Sequence, residues 1–151
     1  MSTTSSTSPS VGDGPPGRDV EASRGLLDTS VVIDHEGVDP ARLPEQSSIS
    51  AITVAELAAG PSATDDPLER STRQDRLHWA VSRWDPVPFD VDAARAFGRV
   101  AALTSAAGRR RRNRLADLQI AAIAIACDLE LYTRNADDVE HLSPILRIVA
   151  L

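Results

Sequence analysis

Gly25-Leu26-Leu27-Asp28-Thr29-Ser30-Val31-Val32-Ile33 begins as an apolar run, closes that run on a carboxylate and continues into residues that can wind into a helix. The pattern predicts a strand ending at Asp28, a turn, and a helix. A second unit of the same kind follows, with Ser47-Ser48-Ile49-Ser50 as a short strand and Thr53-Val54-Ala55-Glu56-Leu57-Ala58-Ala59 as a helix stopped by Gly60-Pro61. Pro67 to Trp84 predicts an amphipathic helix with Leu68, Leu77, Ala80, Val81 and Trp84 on its buried side. Pro86-Val87-Pro88-Phe89 is extended by its prolines, Asp90 is placed to cap a helix from Val91 to Ala107, and Gly108 ends it. A helix from Leu115 to Asp128, a strand at Leu131-Tyr132-Thr133, a loop holding Asp137 and Asp138, and a last strand near Leu146-Arg147-Ile148-Val149 complete the pattern. Strands alternating with helices predict an α/β fold, a mainly parallel sheet with helices on both faces.

The 151 residues, 42% of them hydrophobic, suffice for one ordinary domain and not for two. Residues 1–23 are Ser, Thr, Gly and Pro with scattered charges, too polar to bury the surface that ordering requires, so they are expected to be a disordered extension preceding a domain at 24–151. Aromatic residues are only 3%, which leaves Leu, Ile, Val and Ala to build the core and Trp79 and Trp84 as core or interface anchors. The single cysteine, Cys127, has no intrachain partner and is expected to be a small buried residue rather than a nucleophile. With no apolar leader at the N-terminus, the expected location is the cytoplasm. The longest strongly apolar stretch, Leu115 to Cys127, falls short of the roughly 20 residues of a membrane span and is expected to be a core helix.

Net charge is −6, which argues against generic binding to a polyanion, but the signs are segregated. All 16 basic residues are arginine, and five of them fall in Arg109-Arg110-Arg111-Arg112-Asn113-Arg114. The absence of lysine excludes the phosphate-loop NTPases and Schiff-base enzymes and disfavours a phosphate-accepting signalling or phosphatase-like domain.

In an open parallel sheet, ligands bind beyond the carboxyl ends of the strands. Asp28 closes the first strand, Glu56 lies early in the helix after the second, and Asp137 and Asp138 follow the 131–133 strand, so all reach one sheet edge. Each taken singly is an ordinary turn, capping or solvated acid. Asp117 is different, because the helix around it is apolar apart from Gln119, and an acid in such a helix requires a cation, a metal or a helix N-terminus. Position in the first turn supplies about 0.3–1 kcal/mol of that compensation and leaves room for a metal. Converging carboxylates suit a hard ion, Mg²⁺ or Mn²⁺, and His35, His78 and His141 have no zinc-like spacing. Such a set serves phosphodiester hydrolysis, with Arg109, Arg110, Arg111, Arg112 and Arg114 holding a nucleic-acid backbone beside it.

Four segments in order, Leu26-Leu27-Asp28-Thr29-Ser30, Ile52-Thr53-Val54-Ala55-Glu56-Leu57, Arg112-Asn113-Arg114-Leu115-Ala116-Asp117-Leu118-Gln119-Ile120-Ala121-Ala122, and Tyr132-Thr133-Arg134-Asn135 running into Asp137-Asp138, resemble the PIN domain of VapC toxins. The resemblance implies a three-layer α/β/α fold over 24–151, with Asp28, Glu56 and Asp117 as metal-binding acids and Thr29 or Ser30 as oxygen contacts beside them. It favours Asp138 as the fourth acid with Asp137 in reserve, because Val139 stands where such chains usually carry phenylalanine, and gives Asn135 a polar contact. It further implies a Mg²⁺- or Mn²⁺-dependent endoribonuclease that cleaves structured RNA such as transfer or ribosomal RNA to inhibit translation and growth. A homodimer and a VapB-like antitoxin partner go with it. The competing expectation is an inactive module whose arginine patch holds RNA or a protein partner.

Overall fold

The computed structural model describes residues 21–151. Its strands are β1 (Arg24–Leu27), β2 (Gln46–Ser48), β3 (Glu130–Thr133) and β4 (Ile148–Ala150), and its helices are α1 (Thr29–Ile33), α2 (Ala51–Ala59), α3 (Pro67–Arg83), α4 (Val91–Ala106) and α5 (Leu115–Ala126). The strands lie side by side in the order β2-β1-β3-β4, and every pairing is parallel. The fold is therefore α/β with an all-parallel sheet. The expected extension at 1–23 falls, for residues 1–20, outside the described residues, and Ser23 already accepts the backbone N–H of Gln46 through its carbonyl at 3.0 Å.

Side chains alternate across the strands, and this builds two cores. Leu26 and Leu131 point to the face covered by α4 and α5, joining Ala93, Ala96, Val100, Leu118, Ala121 and Ala122. Leu27 and Tyr132 point to the other face, where Val31, Val32, Ile49, Leu57, Ala80 and Trp84 pack. A sheet buried on both faces is what the unbroken apolar run of β1 requires. Alanine at Ala93, Ala96, Ala121 and Ala122 lets α4 and α5 approach closely, in keeping with the scarcity of aromatic residues.

Helix starts are set by polar caps. Asp66 accepts the N–H groups of Leu68 and Glu69 at 2.8 and 3.1 Å, Asp90 accepts that of Ala93 at 3.0 Å, and Ser50 accepts that of Thr53 at 3.0 Å. No side chain caps α5, and its first turn instead carries Asp117. At the end of α4 Gly108 takes φ +68°, the left-handed conformation that lets the chain leave the helix while Arg109 N–H bonds the Thr104 carbonyl at 3.1 Å.

Two sequence expectations are corrected. Leu68 and Val81 lie outside the core, 77% and 44% exposed, because Leu77, Ala80 and Trp84 are the α3 residues that join the core on that face of the sheet. Cys127 is exposed, since it caps the C-terminal end of α5 where the apolar face has already ended. Trp84 is a core residue, but Trp79 is 38% exposed, completing an edge-to-face cluster with His35 and Trp84 at centroid separations of 5.0 and 5.2 Å. Among the described residues no helix is long and apolar enough to cross a membrane.

Gly25 is the tightest point of the central strand. A Cβ there would lie 2.6 Å from Cδ2 of Tyr132 and 2.8 Å from Cγ of Pro44. We expect Gly25→Ala to destabilise the fold by about 1–3 kcal/mol, the usual cost of overpacking. Urea denaturation reads this, and an unchanged midpoint would show that the Tyr132 ring moves aside freely.

Candidate active site

The sheet order creates the site before any side chain is considered. From β1 the chain moves outward to β2, and from β3 it moves the other way to β4. Adjacent strands whose connections depart in opposite directions leave a crevice at their carboxyl ends, and Asp28 and Thr133 stand at its two lips. The Thr133 hydroxyl donates to Oδ2 of Asp28 at 2.7 Å across that crevice. Asp28, 7% exposed, also accepts the N–H of Thr29 on Oδ1 at 2.6 Å and the hydroxyl of Ser30 on Oδ2 at 3.1 Å. It is at once the cap of α1 and a carboxylate fixed by three donors.

Glu56 reaches the crevice from α2. It is itself exposed, and its Oε1 accepts the Thr29 hydroxyl at 2.6 Å. Thr29 thus ties two acids together, its backbone N–H to Asp28 and its hydroxyl to Glu56. Glu56 and Thr29 also line a surface cavity of about 410 Å³ whose far wall on α3 carries Arg73 and Arg76.

Asp117 is where the carboxylates collide. Burial and then the charges of Asp28, Glu56 and Asp138 push its carboxyl up to about 6, and only Arg114 works against them. No side chain caps the N-terminus of α5, so the positive end of the helix dipole lies close to Asp117 in the first turn. The 136–138 turn is held by two arginines: Arg114 pairs with the Asp138 carboxylate, and Arg109 donates to the Asp138 carbonyl at 3.2 Å.

The arginine run therefore divides. Arg109 and Arg114, both expected at the nucleic-acid surface, are engaged with Asp138, while Arg110, Arg111 and Arg112 are exposed. Of the two acids left open by the sequence, Asp138 acts on Asp117, and Asp137 is exposed with no such influence. Asn135 is exposed, and its backbone N–H bonds the Thr133 hydroxyl at 3.0 Å. Ser30 accepts the N–H of Arg134 at 3.2 Å while donating to Asp28, so it locks the 134–135 segment to the first strand.

Sequence reasoning missed Ser50, Thr53 and Thr133, which read as strand and helix polar residues and turn out to be buried hydroxyls serving the acids. A signal was present: Ser50, Thr53 and Glu56 recur every third residue on one side of α2. His141 was also passed over. The Thr104 hydroxyl donates to the Val100 carbonyl at 2.8 Å, so the 2.9 Å contact to His141 has Nε2–H as donor. Burial, then Arg109 and Arg114, hold this imidazole below its ordinary pKa.

All four converging acids offer oxygen donors only, which fits a hard divalent cation such as Mg²⁺ or Mn²⁺. Among the described residues no three acidic, histidine or cysteine side chains are yet drawn within ligating reach of one point.

A family model described as PIN domain matches residues 25–142. Ribonuclease VapC5 of Mycobacterium tuberculosis is 35% identical over 116 residues, spanning 75% of this chain and 84% of that protein. Ribonuclease VapC8 of the same organism is 40% identical over 105 residues, spanning 69% of this chain and 93% of its own. The crystal structure of VapBC-5 from Mycobacterium tuberculosis, a member of the VapBC family of toxin-antitoxin systems, superposes with a TM-score of 0.76 at 33% identity, over 85% of this chain and 99% of that one. The chain belongs to the PIN-domain family and, within it, to the VapC ribonucleases.

A carboxyl whose pKa is raised on folding, here from 3.8 to about 6, favours the folded state while it holds its proton and ceases to as pH climbs through that range. Asp117 is partly buried, so solvent screening leaves on the order of 1–2 kcal/mol. In the presence of a chelator we therefore expect Asp117→Asn to melt above the wild type at pH 7.5 and to lose that advantage toward pH 4. Parallel thermal melts decide it, and a gap independent of pH would show that burial and the neighbouring acids do not raise the Asp117 carboxyl as described.

Proposed function

We propose that this chain is a divalent-metal-dependent endoribonuclease, the toxin of a VapBC-type pair, in which Asp28, Glu56, Asp117 and Asp138 hold Mg²⁺ or Mn²⁺. The observation that carries the reading is the crowding of Asp28, Glu56 and Asp138 on Asp117 at the switch point of a parallel sheet, a charge concentration that calls for a cation. When bound, the ion supplies Lewis acidity toward the scissile phosphodiester and toward the water that attacks it.

The chain's own groups do the rest. Asp28 is held rigid by Thr29, Ser30 and Thr133, so it offers fixed lone pairs rather than a mobile carboxylate. Exposed Arg110, Arg111 and Arg112 on one side, and Arg73 and Arg76 along the cavity beside Glu56, offer a polyanion places to rest flanking the acids. Arg73 already bonds Glu69 at 2.6 Å and the Gly60 carbonyl at 2.9 Å, which leaves Arg76 the more available of the two. A structured RNA, transfer or ribosomal, is the proposed substrate, with arrest of translation and growth as the consequence. We also propose a homodimer and, by likeness to VapBC-5 as a member of a toxin-antitoxin family, neutralisation by a VapB-like antitoxin.

The test is cleavage of a transfer RNA and a ribosomal RNA fragment in Mg²⁺ or Mn²⁺. We expect activity that a chelator abolishes, and a fall of about 100-fold or more in kcat/KM for both Asp28→Asn and Asp117→Asn. Full activity in the two variants would remove the proposed site, and folded wild-type protein inert on RNA would favour a binding module.

A further inference from the structure

We propose that Thr53 and Ser50 are positioning residues that orient Glu56 through Thr29, by a one-way relay of buried hydroxyls at the entry of α2; this rests on the reading of Glu56 as a metal-site acid. Ser50 and Thr53 are fully buried and Thr29 is 8% exposed. The Ser50 hydroxyl lies 3.3 Å from that of Thr53, which lies 2.9 Å from that of Thr29, which lies 2.6 Å from Oε1 of Glu56.

Each hydroxyl has one proton, and the carboxylate at the end of the row can only accept. The Thr29 proton is therefore committed to Glu56. The proton between Thr29 and Thr53 must come from Thr53, and the one between Thr53 and Ser50 from Ser50. Ser50 completes the row by accepting the backbone N–H of Thr53 at 3.0 Å, the capping bond of α2. Every donor and acceptor along the line has a single assignment, and the whole line points at Glu56. A row of aligned hydroxyls strengthens its own bonds, so the terminal bond to Glu56 is firmer than Thr29 alone would make it.

A polar side chain with no exposure destabilises the fold unless its bonds are made, and a valine would fill the place of Thr53 without that penalty. The hydroxyl therefore has a role beyond filling space. Packing and relay make opposite demands on this position. Valine keeps the volume and removes the proton, while serine keeps the proton and removes a methyl group.

Calorimetric titration with Mn²⁺ alone separates the two. We expect Thr53→Val to weaken Mn²⁺ binding about 10-fold, as loss of a group supporting a ligand does, and Thr53→Ser to remain within about twofold of the wild type. The reverse order, with Thr53→Val binding as the wild type and Thr53→Ser impaired, would overturn the relay. If Thr53→Val fails to fold by circular dichroism, the wild type decides instead: relay hydroxyl protons of Thr29 and Thr53 exchange slowly enough to be resolved by NMR, and rapid exchange of both refutes the proposal. A wild type that binds no Mn²⁺ would sink the metal-site reading, while the hydroxyl protons would still report on the relay.

Discussion

Like charges must be kept together at one edge of a small domain, and the rest of the structure is arranged around that constraint. The acids are not stabilised alike. Asp28 is satisfied by three donors, Glu56 by the Thr29 hydroxyl and Asp138 by Arg114. Asp117 has the N-terminus of α5 and the charge of Arg114 to set against its own burial and the charges of the other acids. Burial first, and then the charges of Asp28, Glu56 and Asp138, raise its carboxyl to about 6, a cost that a cation would offset.

Topology makes the crowding possible. The crossover from β2 to β3 carries α2 to α5 past the central strand and returns beside β1, so that Thr133 arrives opposite Asp28. Were β3 to pair on the far side of β2, Thr133 and the 136–138 turn would lie a strand spacing or more away, roughly 4.8 Å each. The core and the site are thus coupled through register: Leu27 against Tyr132 fixes which residues follow them into the crevice.

Much of this was legible in the sequence. The β1–α1 unit, the cap at Asp90, the turn at Gly108 and the apolar α5 all follow from local rules, and the parallel sheet from the order of the elements. Acids that follow strand ends in an α/β pattern can be assigned to one edge without coordinates. What could not be seen was anything depending on which sides meet. Leu68 and Val81 satisfy a helical period, yet α3 rests on a narrow line through Ala80, and no period says how wide a contact will be. Cys127 sits one residue beyond the last turn of α5, a boundary that patterns locate only to within a few residues. Thr133 looks like any hydroxyl residue in a strand until the crossover brings it to Asp28.

The arginine run shows the same limit from the other direction. As a sequence it is a single basic block, but a block in a turn cannot face one way. Arg111 to Arg114 form one tight turn ahead of α5, so its two ends diverge, and Arg114 enters the acid cluster while Arg110, Arg111 and Arg112 stay outside. Guanidinium suits the inner position because its planar fork of donors matches the Asp138 carboxylate with which it pairs. The Arg114 guanidinium sets a positive charge beside Asp138, so any cation that joins the acids must be accommodated alongside it.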